Sequence, residues 1–184
     1  MRPQDWITHL DRLGSAEPAA LPPDLTLLSG DRGEQRLWRA CSGTVPDATV
    51  LEAIRVALGD RGGALLSTDT FLAIEVWTEC ELAALHALTR LARHRNVEIA
   101  RFSAIRAGEA IRWHLEHTQP DNATNRPWAI HAFLLAEDGS GEPTAYAGTL
   151  LHNMTATDAR DEPLSRWILA DAARELRLRG FGGQ

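Results

Sequence analysis

Between Trp113 and His131 the chain gathers His114, His117, His131, Trp113 and Trp128 around a polar, proline-marked turn that also carries Asp121, Asn122 and Asn125. Two chemistries fit these residue types. His114 and His117 lie three apart near a predicted helix end, where both imidazoles lean to one side. With His131 and Asp121 arriving across the turn, His114, His117 and His131 form a candidate set for zinc or another divalent first-row metal. In the second, lyase- or hydrolase-type chemistry, His131, Tyr146 and His152 are the candidate catalytic groups that move a proton. Asn122 and Asn125 supply amides to neutralise a substrate carboxylate. Trp113, Asp121, Asn122, Asn125 and Trp128 are the candidate contacts to a substrate or partner. The same residues also have plain structural uses. Histidines in a last turn favour the helix C-terminus, and asparagines stabilise turns.

Composition removes several mechanisms. All 19 basic residues are arginine, which excludes Schiff-base chemistry, a phosphate-loop lysine and lysine general bases. There is no HExxH helix and no GxSxG elbow, and Gly59-Asp60-Arg61-Gly62-Gly63 lacks the pattern of a phosphate loop. A formal net charge of −6 without a basic block argues against nucleic acid as a partner. No apolar run reaches the length of a membrane span, and the first residues lack a signal peptide's apolar stretch, so the expectation is a cytoplasmic chain with no membrane partner. Cys41 and Cys80 form no CxxC pair and read as small buried hydrophobes.

The elements that must position these groups are helices. Pro3 to Leu13 carries apolar residues at helical spacing, whereas the rest of the first 45 residues is broken by Pro18, Pro22, Pro23, Gly30, Gly33 and Gly43. Residues 1–45 therefore read as an irregular arm packed on a single helical domain, 46–184. In that domain Asp47 or Thr49 caps a helix from Pro46 to Gly59. Residues 64–77 read as extended or mixed. Thr78 and Glu81 match a capping box that opens a helix running to about His94. A long helix spans Val97 to His117, and shorter ones start at Pro127, Pro143 and Pro163. Trp113 falls away from the small-residue face of its helix and either packs on a second neighbour or marks a contact surface.

The segment Asp121-Asn122-Ala123-Thr124-Asn125-Arg126-Pro127-Trp128-Ala129-Ile130 resembles the inner-helix starts of α/α-toroid proteins such as terpenoid cyclases and polysaccharide lyases. Residues His114 to His131, with Thr149-Leu150-Leu151-His152-Asn153, are similar to uncharacterised bacterial helical proteins. The periodicity predicts an all-α fold of successive antiparallel helical hairpins, and the toroid resemblance implies a partial ring. The expected function is a non-catalytic helical binding or assembly module whose partner is another protein or itself. It needs no cofactor. The rival reading is a metal-binding protein or enzyme centred on the 114–131 corner.

Overall fold

The computed structural model describes residues 3–14, 21–23, 25–58, 62–67, 73–118, 124–136 and 138–181. Among them are eight α-helices and no strand: α1 (Pro3–Leu13), α2 (Gly33–Ala40), α3 (Asp47–Leu58), α4 (Ile74–Leu91), α5 (Val97–His117), α6 (Ile130–Leu135), α7 (Glu142–Thr155) and α8 (Pro163–Leu178). The expected all-α class is the one observed. Consecutive pairs α2/α3, α4/α5 and α6/α7 pack on one another, and α1 closes the chain by packing on α8. That last contact is close. A Cβ built on Gly14 would lie 2.8 Å from the Ala170 backbone nitrogen, so only glycine fits there. No described helix is long and apolar enough to cross a membrane.

One core runs through the helices, with Leu10 of α1, Leu37 and Trp38 of α2, Leu82, Leu85 and Leu88 of α4, Phe133 of α6 and Ile168 of α8 fully buried. Pro143 and Pro163 sit in the first turns of α7 and α8, where a missing N–H costs nothing. Asn96 caps α5, its side-chain oxygen accepting from the backbone N–H groups of Glu98 and Ile99. Its amide also donates to Asp47 at 2.9 Å and ties the start of α5 to the start of α3.

Three local expectations are corrected. The arm contains α2, whose Leu37 and Trp38 are core residues, so flanking glycines there mark the ends of a short helix and not a lack of one. Thr78 caps nothing: α4 begins four residues earlier, after Ala73, and the Thr78 hydroxyl donates back to the Ile74 carbonyl at 2.8 Å. Helix α6 starts at Ile130 rather than Pro127, because Trp128 and Ala129 form a turn in which Ala129 takes φ 57°, outside the helical region.

Residues 62–67 show why an extended segment here needs no sheet. The Leu65 and Leu66 N–H groups donate to the two carboxylate oxygens of buried Glu81 at 2.6 and 2.7 Å. Buried Arg106 donates to the Gly63 and Ala64 carbonyls, each at 2.7 Å, and Trp77 Nε1–H donates to the Leu66 carbonyl at 3.1 Å. Side chains of α4 and α5 thus do for this strap what a neighbouring strand would do.

Glu81→Ala leaves two buried N–H groups unpaired and is expected to cost about 3–5 kcal/mol of unfolding free energy. Thr78→Ala, at an interior position where alanine favours the helix, should stay within about 0.5 kcal/mol of wild type. Urea unfolding of both variants checks the pair; a loss at Thr78 as large as a cap's would restore a helix start at that residue.

Candidate functional site

The 114–131 corner divides between two buried polar clusters. In the first, His114 is fully buried on α5, with Nδ1 3.0 Å from Thr118 Oγ1 and Nε2 3.5 Å from Glu81 Oε1. Tyr146 reaches the same threonine hydroxyl from α7 at 2.8 Å and stacks on Phe133 with ring centroids 4.1 Å apart. Glu81, His114, Thr118 and Tyr146 therefore form one chain of polar contacts. It links the strap of residues 62–67 to α7.

The second cluster holds His131, and its other members come from elsewhere in the sequence. His131 of α6 lies 4.3 Å from His86 of α4, ring centre to ring centre, and both are fully buried. His86 Nδ1 faces the Ala129 backbone N–H at 3.2 Å and can only accept there, so Nε2 carries the proton and donates to Asp171 Oδ2 at 3.1 Å. Asp171, fully buried on α8, also receives Arg90 at 2.9 Å and Arg174 at 2.8 Å on Oδ1. Trp38, Trp128 and Trp167 surround His86 at 5.5 to 6.1 Å, and the Arg90 guanidinium lies 5.8 and 5.7 Å from the Trp38 and Trp167 ring centres. The guanidinium faces carry part of their charge against aromatic rings.

Protonation follows from these surroundings. Burial pushes the Asp171 carboxyl up, but the hydrogen bond from His86 and the positive charges around it prevail and hold it at about 2. Burial lowers His86 despite its bond to Asp171. His131 is held well below the ordinary histidine range, first by burial and then by His86 beside it, and neither of its ring nitrogens has a hydrogen-bond partner among the described residues. Both thiols stand at about 12, raised chiefly by burial, and Cys41 donates to the Ala87 carbonyl. Neither is a nucleophile at neutral pH.

An aspartate that orients a histidine is half of a general-base arrangement. Here the other half is closed: Ala129 occupies the lone pair a substrate proton would need, and neither side chain reaches solvent. The cluster's work is to join α4, α6 and α8. Sequence reasoning missed His86, Arg90 and Asp171, although a signal existed. His86 interrupts the apolar run from Leu82 to Leu91, and Asp171 stands between Ala170 and Ala172.

The candidate residues are thus scattered. His114 and Tyr146 meet through Thr118, whereas His131 faces His86. His117 is exposed on α5 and stacks on Trp113, with ring centroids 5.2 Å apart. Trp113 is half-buried, its ring edge-on to Trp77. Trp128 is buried and therefore a core residue, which corrects its assignment as a partner contact. Asn125 and His152 are exposed; Asp121 and Asn122 lie outside the described residues. No three His, Cys, Asp or Glu side chains gather as metal ligands among the described residues.

His86 and His131 make stability depend on acid. Both have folded pKa values below that of the unfolded chain, so their contribution is complete above about pH 6.5 and falls as the pH drops, by up to about 1.4 kcal/mol per pH unit for each. Asp171 adds its own loss only from the carboxylate range down towards pH 2. His131→Leu should remove one histidine's share of the slope between pH 6.5 and 5. Urea midpoints measured across that range check this, and an unchanged slope would mean that His131 titrates normally. Comparison with protein-family models, with curated proteins and with solved structures returns no match.

Proposed function

We propose that the protein is a non-catalytic helical assembly module that pairs with a second copy of itself through the outer face of α5. The observation that carries this reading is a self-complementary stripe. Val97, Phe102 and Ile105 are exposed on α5, Ile105 to 51%. Glu98, Ile105 and Arg112 follow at heptad spacing, which keeps them within about 20° of one line along the helix. All three are exposed.

Two such helices laid antiparallel about a two-fold axis at Ile105 set that isoleucine against its symmetry mate. Glu98 of each copy then stands level with Arg112 of the other. Parallel pairing would oppose Glu98 to Glu98 and Arg112 to Arg112, so the charges select the antiparallel arrangement. Exposed ion pairs are worth only about 0.2–1 kcal/mol, whereas covering an isoleucine or a phenylalanine contributes about 1.5–3 kcal/mol. The apolar pair supplies affinity and the charges supply orientation. One helix face is a small interface, which fits a reversible dimer better than an obligate one. Trp113 contributes less than its place on the helix wheel suggests, because Trp77 covers one side of its ring.

Sedimentation or light scattering over a concentration series is expected to give a monomer–dimer equilibrium. Ile105→Glu should leave a monomer whose unfolding free energy stays within about 0.5 kcal/mol of wild type, as for other surface changes. Arg112→Glu should weaken the dimer, and Glu98→Arg combined with Arg112→Glu should restore it. A wild-type chain that remains monomeric at high concentration, or a dimer indifferent to these changes, defeats the reading.

A further inference from the structure

A cleft of about 440 Å³ lies where the end of α4 meets α8 and the segment after α2, and four arginines line it: Arg90, Arg93, Arg95 and Arg174. The facing carboxylates are Asp47 and Glu175, with Asp171 behind the wall. We propose that this cleft binds a small oxyanion, of the phosphate or phosphomonoester class.

The wall is built by the same network that organises the core. Arg90 and Arg174 are held on Asp171, and Arg93 donates through one Nη to both oxygens of buried Glu175 at 2.9 and 3.1 Å. A guanidinium has five N–H donors, so on Arg93 and Arg174 the carboxylate that fixes one edge leaves others for a ligand, already oriented, while Arg90 lends its charge to the wall. Arg95 at the rim is exposed and makes no ion pair among the described residues, so it adds a positive charge that no wall carboxylate offsets. His94 accepts the Asn96 N–H on Nδ1, which turns its Nε2–H towards Asp47, 4.0 Å away. The neighbouring Cys41 thiol stays protonated and brings no competing negative charge. In a chain of net charge −6 this convergence of guanidiniums is local, and planar forked donors match the oxygens of a phosphate better than they match chloride.

The test is calorimetric titration of the full chain with inorganic phosphate at pH 7, against sodium chloride at matched ionic strength. Saturable one-to-one binding of phosphate with no counterpart for chloride is expected. Arg95→Gln should weaken it about tenfold, the usual scale for losing one charge-assisted contact, while Arg166→Gln, outside the cleft, should leave it unchanged. Side-chain N–H resonances of Arg93, Arg95 and Arg174 should move on phosphate addition in the wild-type protein, which reads the site without relying on any variant. Equal responses to phosphate and chloride, binding unaffected by Arg95→Gln, or resonances that stay in place would each overturn the proposal.

Discussion

The buried carboxylate of Asp171 is the constraint on which the arrangement of helices depends. A lone carboxylate sealed from water would be too costly to keep ionised, so its site must deliver donors from several directions at once. It does: His86 and Arg90 come from α4, and Arg174 comes from its own helix. His86 passes the restraint on, because fixing its proton on Nε2 leaves Nδ1 to hold the Ala129 N–H at the start of α6. One charge thereby sets the distance between α4 and α8 and the entry of a third helix. Just beyond the C-terminal ends of the same two helices, Arg93 on Glu175 and Arg179 on the Thr89 carbonyl repeat the link.

Glu81 plays the matching part at the other end of α4. There the groups that need satisfying are backbone amides of an irregular strap, and the carboxylate accepts from two of them while Arg106 covers the carbonyls. Helix α4 thus carries two kinds of residue on its buried side. Leucines and alanines fill volume, and Glu81 and His86 decide which neighbour goes where. Apolar packing alone tolerates many rearrangements of similar volume, whereas a buried donor and acceptor have few ways to meet. Specificity of the fold rests on these few polar residues.

Helical periodicity in the sequence located α1, α3, α5, α7 and α8, three of which carry a start signal that acts locally: a proline in the first turn of α7 and of α8, and the Asn96 side chain bonding the first amides of α5. Helix α2 escaped, since glycines at its borders resemble those of a loop. The start of α4 was misplaced because Thr78 and Glu81 have the spacing of a capping box, while their side chains serve other partners, Ile74 and the strap. The candidate histidines fall into separate clusters for a related reason. Nearness in sequence placed His114 with His131, yet the helix turn at Thr118 sends His114 towards Tyr146 and α6 turns His131 towards His86. What pairs with a buried histidine is decided by residues up to 85 positions away, which no local pattern encodes.

The absence of lysine acquires a structural meaning in the same place. Arg90 bonds Asp171 along one edge while its planar guanidinium lies near the rings of both Trp38 and Trp167. A lysine ammonium could neutralise Asp171, but it has no flat face to set against indole and is more strongly hydrated, so it resists the half-buried position that Arg90 occupies. Trp38, Trp128 and Trp167 therefore find their use in the core, where they surround an ion-pair network. The groups this network does not consume, the outer stripe of α5 and the guanidinium edges that face away from Asp171 and Glu175, are the ones on which the proposed self-pairing and oxyanion binding rest.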